Sequence, residues 1–258
     1  MNELRDHILQ SIDFIRKYAP LADKYGGYTV CFSGGKDSQV LLDLFKRSCV
    51  NFHAVYNCTT NDDPKNVYFI RKFYPEVEIK LPELNFFQLI EKKKMLPTIN
   101  KRFCCSYFKE SKNKGFVSTG VRSEESIKRS KYKPIKFFYK DYFDEKKYKG
   151  QRVSFMPILD WLEWEIWEYI ETESIPINPC YEKFSRVGCM LCPFAPAKQI
   201  ANNFIEYPKL KQNFLKTIEK IMDNGYMKEF HTNPQKVLEW WMSKRNAKEF
   251  FTQTTLEL

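Results

Sequence analysis

Ser33-Gly34-Gly35-Lys36-Asp37-Ser38 stands between a β-branched and aromatic run, Tyr28 to Phe32, and a leucine-rich helical stretch, Gln39 to Phe45. A strand that turns through two glycines straight into a helix leaves few folds open. The glycines let successive backbone amides point at one anion, and the helix N-terminus adds its dipole. Ser33 and Ser38 contribute hydroxyl donors and Lys36 a mobile positive charge. The run lacks the longer spacing and terminal Gly-Lys-Ser/Thr of a Walker loop, so γ-phosphate motor chemistry is not indicated. A plain glycine turn with a helix cap is the alternative.

The remaining pattern alternates in the same way. Phe52 to Tyr56 reads as a second strand, Pro64 to about Phe73 as a helix opened by Asp62-Asp63-Pro64, and Val77 to Leu81 as a third strand. Phe86 to Lys93 is helical, and Phe116 to Val121 is a fourth strand ending at Arg122. Met1 to Tyr18 places Leu4, Ile8, Ile12 and Ile15 on one helical face. This alternation predicts an α/β fold: an open, mostly parallel twisted sheet with helices on both faces, binding its ligand outside the C-terminal strand ends. Ser33 and Arg122 both fall at such ends. From Ile158 onward the pattern is mostly helical, over Trp161 to Glu171, Ala197 to Ile205, Tyr207 to Met222 and Pro234 to Phe251. The expected organisation is an N-terminal helix over 1–26, a nucleotide-binding α/β domain over 27–160 and a helical C-terminal part over 161–258. Lys128 to Lys149, rich in lysine and aromatics, reads as a mobile segment or a small hairpin.

Forty-two basic against 32 acidic side chains give a formal charge of +10 across 258 residues. Such a surplus favours a polyanionic partner, or reflects only a lysine-rich bias. No run of 18 apolar residues is present, so no membrane span is expected. The N-terminus has no apolar signal region and contains Glu3, Asp6 and Asp13, which predicts a cytoplasmic protein. Its eight cysteines are then expected to be reduced or metal-bound. His7, His53 and His231 sit in no motif with a nucleophile or a metal ligand, which argues against a histidine triad. No Gly-x-Gly-x-x-Gly follows a strand, so a nicotinamide cofactor is unsupported.

Four cysteines form two pairs, Cys104-Cys105 and Cys189-Met190-Leu191-Cys192. The second pair alone fits a redox site, half a zinc site or half a cluster site. A tandem pair is awkward in a zinc knuckle, and two pairs so far apart must be joined by the fold. Free structural thiols and zinc stay open as readings. Cys31, Cys49, Cys58 and Cys180 lack such spacing, and Cys31 and Cys58 read as small buried residues.

The Ser-Gly-Gly-x-Asp-Ser run resembles the signature of the PP-loop, or ATP-pyrophosphatase, superfamily, with its adenine nucleotide alpha hydrolase-like fold. The resemblance implies that Ser33, Gly34, Gly35, Lys36, Asp37 and Ser38 contact the phosphates of ATP. Lys36 would stabilise developing charge and Asp37 would contact Mg²⁺. Cys104-Cys105-Ser106-Tyr107-Phe108-Lys109, with the distant Cys189 and Cys192, resembles the [4Fe-4S] site of adenylyl-sulfate reductases in the phosphoadenosine phosphosulfate (PAPS) reductase family. There the four cysteines hold the cluster and Lys109 is its charge partner. Gly120-Val121-Arg122-Ser123-Glu124-Glu125-Ser126 with Arg129 resembles that family's substrate-anion segment, making Gly120, Arg122 and Arg129 nucleotide-binding and Arg122 catalytic by implication. Pro157-Ile158-Leu159-Asp160-Trp161 matches a further landmark, and the likeness runs from about Thr29 to Pro196.

Sulfonucleotide reductases attack with a cysteine in a C-terminal Glu-Cys-Gly-x-His segment, whereas this sequence has no cysteine after Cys192. They also depart from Ser-Gly-Gly-Lys-Asp-Ser, the ATP-cleaving form of the loop. The expectation is therefore an ATP pyrophosphatase that adenylylates a target, a nucleic acid, for [4Fe-4S]-assisted sulfur insertion. DNA phosphorothioation and tRNA thiolation are the types implied, with a cysteine desulfurase or persulfide as sulfur donor. An adenylyl-sulfate or PAPS reductase releasing sulfite is the first alternative, and a non-enzymatic, DNA-binding regulator the second. Trp240-Trp241 reads either as helical core or as a base-stacking surface. The oligomeric state is not legible.

Overall fold

The computed structural model describes residues 2–110, 113–137 and 152–254. Tyr28–Cys31 (β1), of aromatic and β-branched character, lies inside a sheet with a parallel neighbour on each side. Among the described residues the sheet has six strands, adding Phe52–Asn57 (β2), Glu78–Lys80 (β3), Phe116–Ser118 (β4), Ile135–Lys136 (β5) and Val153–Phe155 (β6). Their order is β3-β2-β1-β4-β6-β5, and only β5 runs antiparallel to its neighbour. Strand order therefore reverses direction between β1 and β4, which makes the end of β1 a topological switch point. The expected α/β fold is observed.

The α-helices are Asn2–Asp23 (α1), Lys36–Ser48 (α2), Pro64–Phe73 (α3), Phe86–Lys93 (α4), Phe103–Cys105 (α5), Glu163–Thr172 (α6), Ala197–Glu206 (α7), Pro208–Asp223 (α8), Pro234–Ser243 (α9) and Ala247–Thr254 (α10). The chain forms two compact units, each drawn from three separate stretches. The first comprises Met1–Asn57, Pro64–Lys80 and Ser111–Val187; the second comprises Cys58–Asp63, Leu81–Glu110 and Gly188–Leu258.

The first unit holds the whole sheet. Helix α2 buries Val40, Leu41, Leu42, Leu44 and Phe45 completely, so its start is fixed by a wide apolar face. Helix α1 runs past Tyr18, where the amphipathic pattern stops, and through Pro20, with Ala19 and Ala22 buried there. It is tied down by Ser11 Oγ, which donates to Pro157 O at 3.0 Å and accepts from Trp161 Nε1 at 3.0 Å. Tyr169 of α6 donates to Asp43 of α2 at 2.6 Å. Strand β4 ends at Ser118, shorter than the expected run to Val121, and β6 has no counterpart among the expected strands. Within the lysine- and aromatic-rich stretch, Ile135–Lys136 pairs antiparallel with β6, and its part over 138–149 lies outside the described residues.

The second unit is helical. Phe86, Leu89 and Ile90 of α4 meet Phe214, Ile218 and Ile221 of α8 and Val237, Leu238, Trp240 and Trp241 of α9 in one core. Both tryptophans are buried and satisfied: Trp241 Nε1 donates to Pro97 O at 2.6 Å and Trp240 Nε1 to Arg245 O at 3.0 Å. The tandem is core, not a stacking surface. The helix expected over Pro234 to Phe251 is two helices, broken where Lys244 takes a left-handed φ of 59° and donates from Nζ to Ala195 O at 2.5 Å. No helix among the described residues is long and apolar enough to cross a membrane.

Phe214 is fully buried, edge-on to Trp241 with ring centroids 5.0 Å apart. Truncating it leaves a cavity that neighbouring helices fill only in part. Phe214→Ala is expected to lower the unfolding free energy by about 3–5 kcal/mol, read from the denaturant midpoint.

Candidate functional site

The Ser33–Ser38 loop folds on itself before α2 begins. Ser33 N donates to Ser38 Oγ at 3.1 Å, and Ser38 Oγ donates to Gly35 O at 2.7 Å. Gly34 takes a φ of +77°, open to glycine at no steric cost. Gly35 is the residue before α2 and makes no side-chain cap, and the start of α2 carries the positive dipole end of a helix N-terminus. Lys36 N donates to the Tyr181 hydroxyl at 2.8 Å. Burial pushes that phenol up to about 12, so at neutral pH it carries a proton that it can donate onward.

Lys36 is buried, its Nζ 3.4 Å from Glu163 and 3.6 Å from Asp37. The same ammonium lies 5.8 Å from the Trp167 ring centroid and 5.9 Å from that of Tyr181, within cation–π reach. Arg122, also buried, donates from Nε to Asp37 at 2.6 Å and from Nη1 to Glu124 at 2.6 Å. Burial works against its charge, but the bonds and charges of Asp37 and Glu124 raise its pKa. Asp37 thus stands between two cations. Gly120 has a packing reason to be glycine: a Cβ there would lie 2.8 Å from the Asp37 carbonyl oxygen, inside the first turn of α2. Arg129 pairs with Glu125, whose other oxygen accepts from Arg122 N at 3.0 Å. The structure therefore draws Gly120 and Arg122 to the loop, whereas Arg129 is joined to it only through Glu125.

At the ends of the strands flanking β1, Asn57 Oδ1 and Ser118 Oγ are buried without a hydrogen-bond partner among the described residues. Native buried polar atoms are nearly always paired. Two orphans beside a phosphate-type loop suit polar groups of a ligand.

The four paired cysteines and Lys109 all belong to the second unit. Helix α5 carries Cys104 and Cys105 and runs into a π-helical turn, Ser106–Glu110, that carries Lys109. Lys109 Nζ donates to Cys189 Sγ at 3.7 Å. The negative field of Cys189 first, with Asp62, Cys105 and Cys192, raises the pKa of Lys109. The hydrogen bond between Cys104 and Cys105 pushes the Cys104 thiol up and lowers that of Cys105. Burial raises Cys189, against the pull of Lys109. Two pairs distant in sequence thus lie within electrostatic reach of one another, with a cation among them.

Among the described residues no three His, Cys, Asp or Glu side chains close on a single metal ion. The donor set, four soft sulfurs beside one ammonium, is of the kind that zinc and iron–sulfur clusters both take.

The phosphoadenosine phosphosulfate reductase domain matches residues 27–195 of this chain. The chain belongs to that family. The uncharacterized protein MJ0973 of Methanocaldococcus jannaschii is 28% identical over 231 residues, covering 84% of this chain and 53% of that protein. The chain thus spans about half the length of that relative. The adenosine 5'-phosphosulfate reductase of Staphylococcus epidermidis is 25% identical over 166 residues, covering 62% of this chain and 68% of that enzyme. The crystal structure of Candida glabrata FMN adenylyltransferase with FAD and inorganic pyrophosphate has a TM-score of 0.50 at 18% identity, covering 73% of this chain and 64% of that one. That likeness is one of fold.

In this member of the PAPS reductase domain family, several site residues had no motif to announce them. Asn61 accepts from Leu191 N through Oδ1 at 3.1 Å and from Met190 N through its carbonyl at 2.7 Å, holding the turn between Cys189 and Cys192. Thr59 Oγ1 lies 3.5 Å from Cys189 Sγ, and Asn203 Nδ2 donates to Met190 O at 2.9 Å. Asp62 and Asp63 were legible only as a helix start, yet Asp62 accepts from Thr59 N at 2.7 Å and faces Lys109. Tyr181 and Glu163, now beside Lys36, carried no signal beyond their proximity to other landmarks.

Gly120→Ala is expected to destabilise the protein by about 1–3 kcal/mol, because its methyl group meets backbone that cannot swing aside. Chemical denaturation beside a Gly188→Ala control, where a Cβ meets nothing within 4 Å, checks it.

Proposed function

We propose that this chain uses ATP to activate an oxygen of an acceptor, releasing pyrophosphate, so that sulfur can replace that oxygen. The observation that carries the reading is the intact Ser33–Ser38 cradle, folded at the start of α2 with a buried lysine beside it. The acceptor oxygen attacks the α-phosphorus, the α–β phosphoanhydride bond breaks, and pyrophosphate leaves. Lys36 exchanges Asp37 and Glu163 for the charge gathering on that leaving group. Asp37 is the carboxylate available to Mg²⁺, and Arg122 sets its orientation. Ser33, Gly34, Gly35 and Ser38 position the phosphates, and the orphaned Asn57 and Ser118 atoms receive polar groups of the nucleotide.

Sulfur at the oxidation level of sulfide then displaces AMP from the adenylylated acceptor. With a desulfurase persulfide as donor, a thiol reductant contributes the two electrons that bring the sulfur to that level. Cys104, Cys105, Cys189 and Cys192 would hold a [4Fe-4S] cluster, one thiolate to each iron, and the cluster would assist delivery of the sulfur. Lys109 offsets the negative charge of the four thiolates. A formal charge of +10 suits a polynucleotide acceptor, DNA or tRNA, whose phosphates attract the surface at long range.

Pyrophosphate release from ATP in the presence of a polynucleotide tests the reading. Lys36→Ala is expected to slow it by about a hundred-fold or more; undiminished turnover would remove Lys36 from the mechanism. In a second test the protein is purified without oxygen and its iron and sulfide are measured. About four irons per chain are expected, lost in Cys104→Ser. A colourless protein with stoichiometric zinc would make the thiols structural.

The similarity to an adenosine 5'-phosphosulfate reductase favours one other reading. A reductase would release sulfite from a sulfonucleotide with no ATP present and no pyrophosphate formed, so the same assay separates the two.

A further inference from the structure

Asn66 lies on α3 and Asn178 precedes the short 3₁₀ turn Pro179–Glu182, and neither belongs to a phosphate-binding motif. Both are buried in the first unit and reach the same loop. Asn66 Nδ2 donates to Ser33 O at 3.1 Å, and Asn178 Nδ2 donates to Gly34 O at 2.9 Å. Asn178 Nδ2 also donates to Asn66 Oδ1 at 2.7 Å, so the two side chains form one unit.

The orientation of both amides follows from a backbone donor. Cys180 N–H needs an acceptor and finds Asn178 Oδ1 at 2.9 Å. That turns Asn178 Nδ2 toward the loop and Asn66 Oδ1, which in turn aims Asn66 Nδ2 at Ser33 O. Gly34 leaves room for this arrangement: a Cβ there would lie 2.2 Å from Asn66 Oδ1.

A trans peptide points its C=O and its N–H in opposite directions. With the carbonyls of Ser33 and Gly34 held by the asparagines, the N–H groups of Gly34 and Gly35 face the other way. Among the described residues Gly35 N has only a long contact, 3.4 Å, to Ser33 Oγ. We infer that Asn66 and Asn178 are positioning residues that clamp two loop carbonyls inward and so pre-aim the Gly34 and Gly35 amides at the nucleotide's phosphates. This rests on the reading that the loop binds ATP. The asparagines touch no phosphate themselves; they remove the reorganisation that a free glycine loop would otherwise undergo on binding.

Asn178→Asp keeps the shape but replaces the donor facing Gly34 O by a carboxylate oxygen, and Asn66→Ala removes the other half of the clamp. Binding of ATP, pyrophosphate and adenosine to the full chain is measured by calorimetry for wild type and both variants, with thermal melting of the free proteins alongside. Misaiming one or two amides that bond a charged oxygen is expected to weaken ATP and pyrophosphate by about ten- to a hundred-fold while adenosine changes by less than about two-fold. Unchanged ATP affinity in both variants overturns the inference. A parallel loss for adenosine and ATP, or loss of the folded state in both variants, makes the pair merely structural and also overturns it. If wild type itself binds neither ATP nor pyrophosphate, the ATP reading fails and the inference with it.

Discussion

Strand β1 is held between parallel partners on both sides, and the site geometry in the first unit depends on that constraint. Tyr28 to Cys31 pair with Phe52 to Val55, and Tyr28 to Val30 with Phe116 to Ser118. A strand so enclosed cannot shift register without moving its whole side-chain set. Its C-terminal end therefore becomes a fixed point, and the chain leaving it must turn at once to start α2, whose apolar face is committed to the core. Gly34 in that turn and Gly120 after β4 are required by space as much as by chemistry. At Gly34 the room is taken by Asn66, and at Gly120 the end of β4 is pressed against the first turn of α2.

Charge in this corner is arranged in alternation. Asp37 lies between Lys36 and Arg122, Glu124 neutralises Arg122 from the other side, and Glu163 faces Lys36. Buried charges are tolerated only when paired and hydrogen-bonded. A phosphate entering such a network competes for cations that already have carboxylate partners, which makes binding an exchange rather than a simple capture. The thiol region of the second unit follows the same rule with softer groups: the charge of Lys109 works to lower the pKa of Cys105 and of Cys189.

Much of this was legible because local chemistry and fold agree. The strand–turn–helix at Ser33 to Ser38, the helix opened by Pro64 and the amphipathic first helix are set by short-range pattern, and each appears. The Trp240-Trp241 tandem had two readings because burial is not a property of a dipeptide; the apolar faces of α4, α8 and α9 settled it as core. Strand β6 escaped notice because three residues, Val153 to Phe155, carry too little period to be read, and its pairing with β4 defines it. The partners of the turn that carries Cys189, namely Thr59, Asn61 and Lys109, come from two separate parts of the chain and share no motif.

The sequence by itself determined the kinds of chemistry present: an anion-binding turn at a helix start, four soft thiols in two pairs, and the α/β alternation that carries them. These follow from neighbouring residues, and nearest-neighbour physics suffices for them. Tertiary structure alone decided which groups face which. It brought Cys104 into the field of Cys189, assigned Arg122 to Asp37, and set Asn66 and Asn178 against the carbonyls of Ser33 and Gly34. The physical reason is distance along the chain. Contacts between residues 33 to 144 apart are selected by the packing of whole helices and strands, and no local pattern encodes that packing.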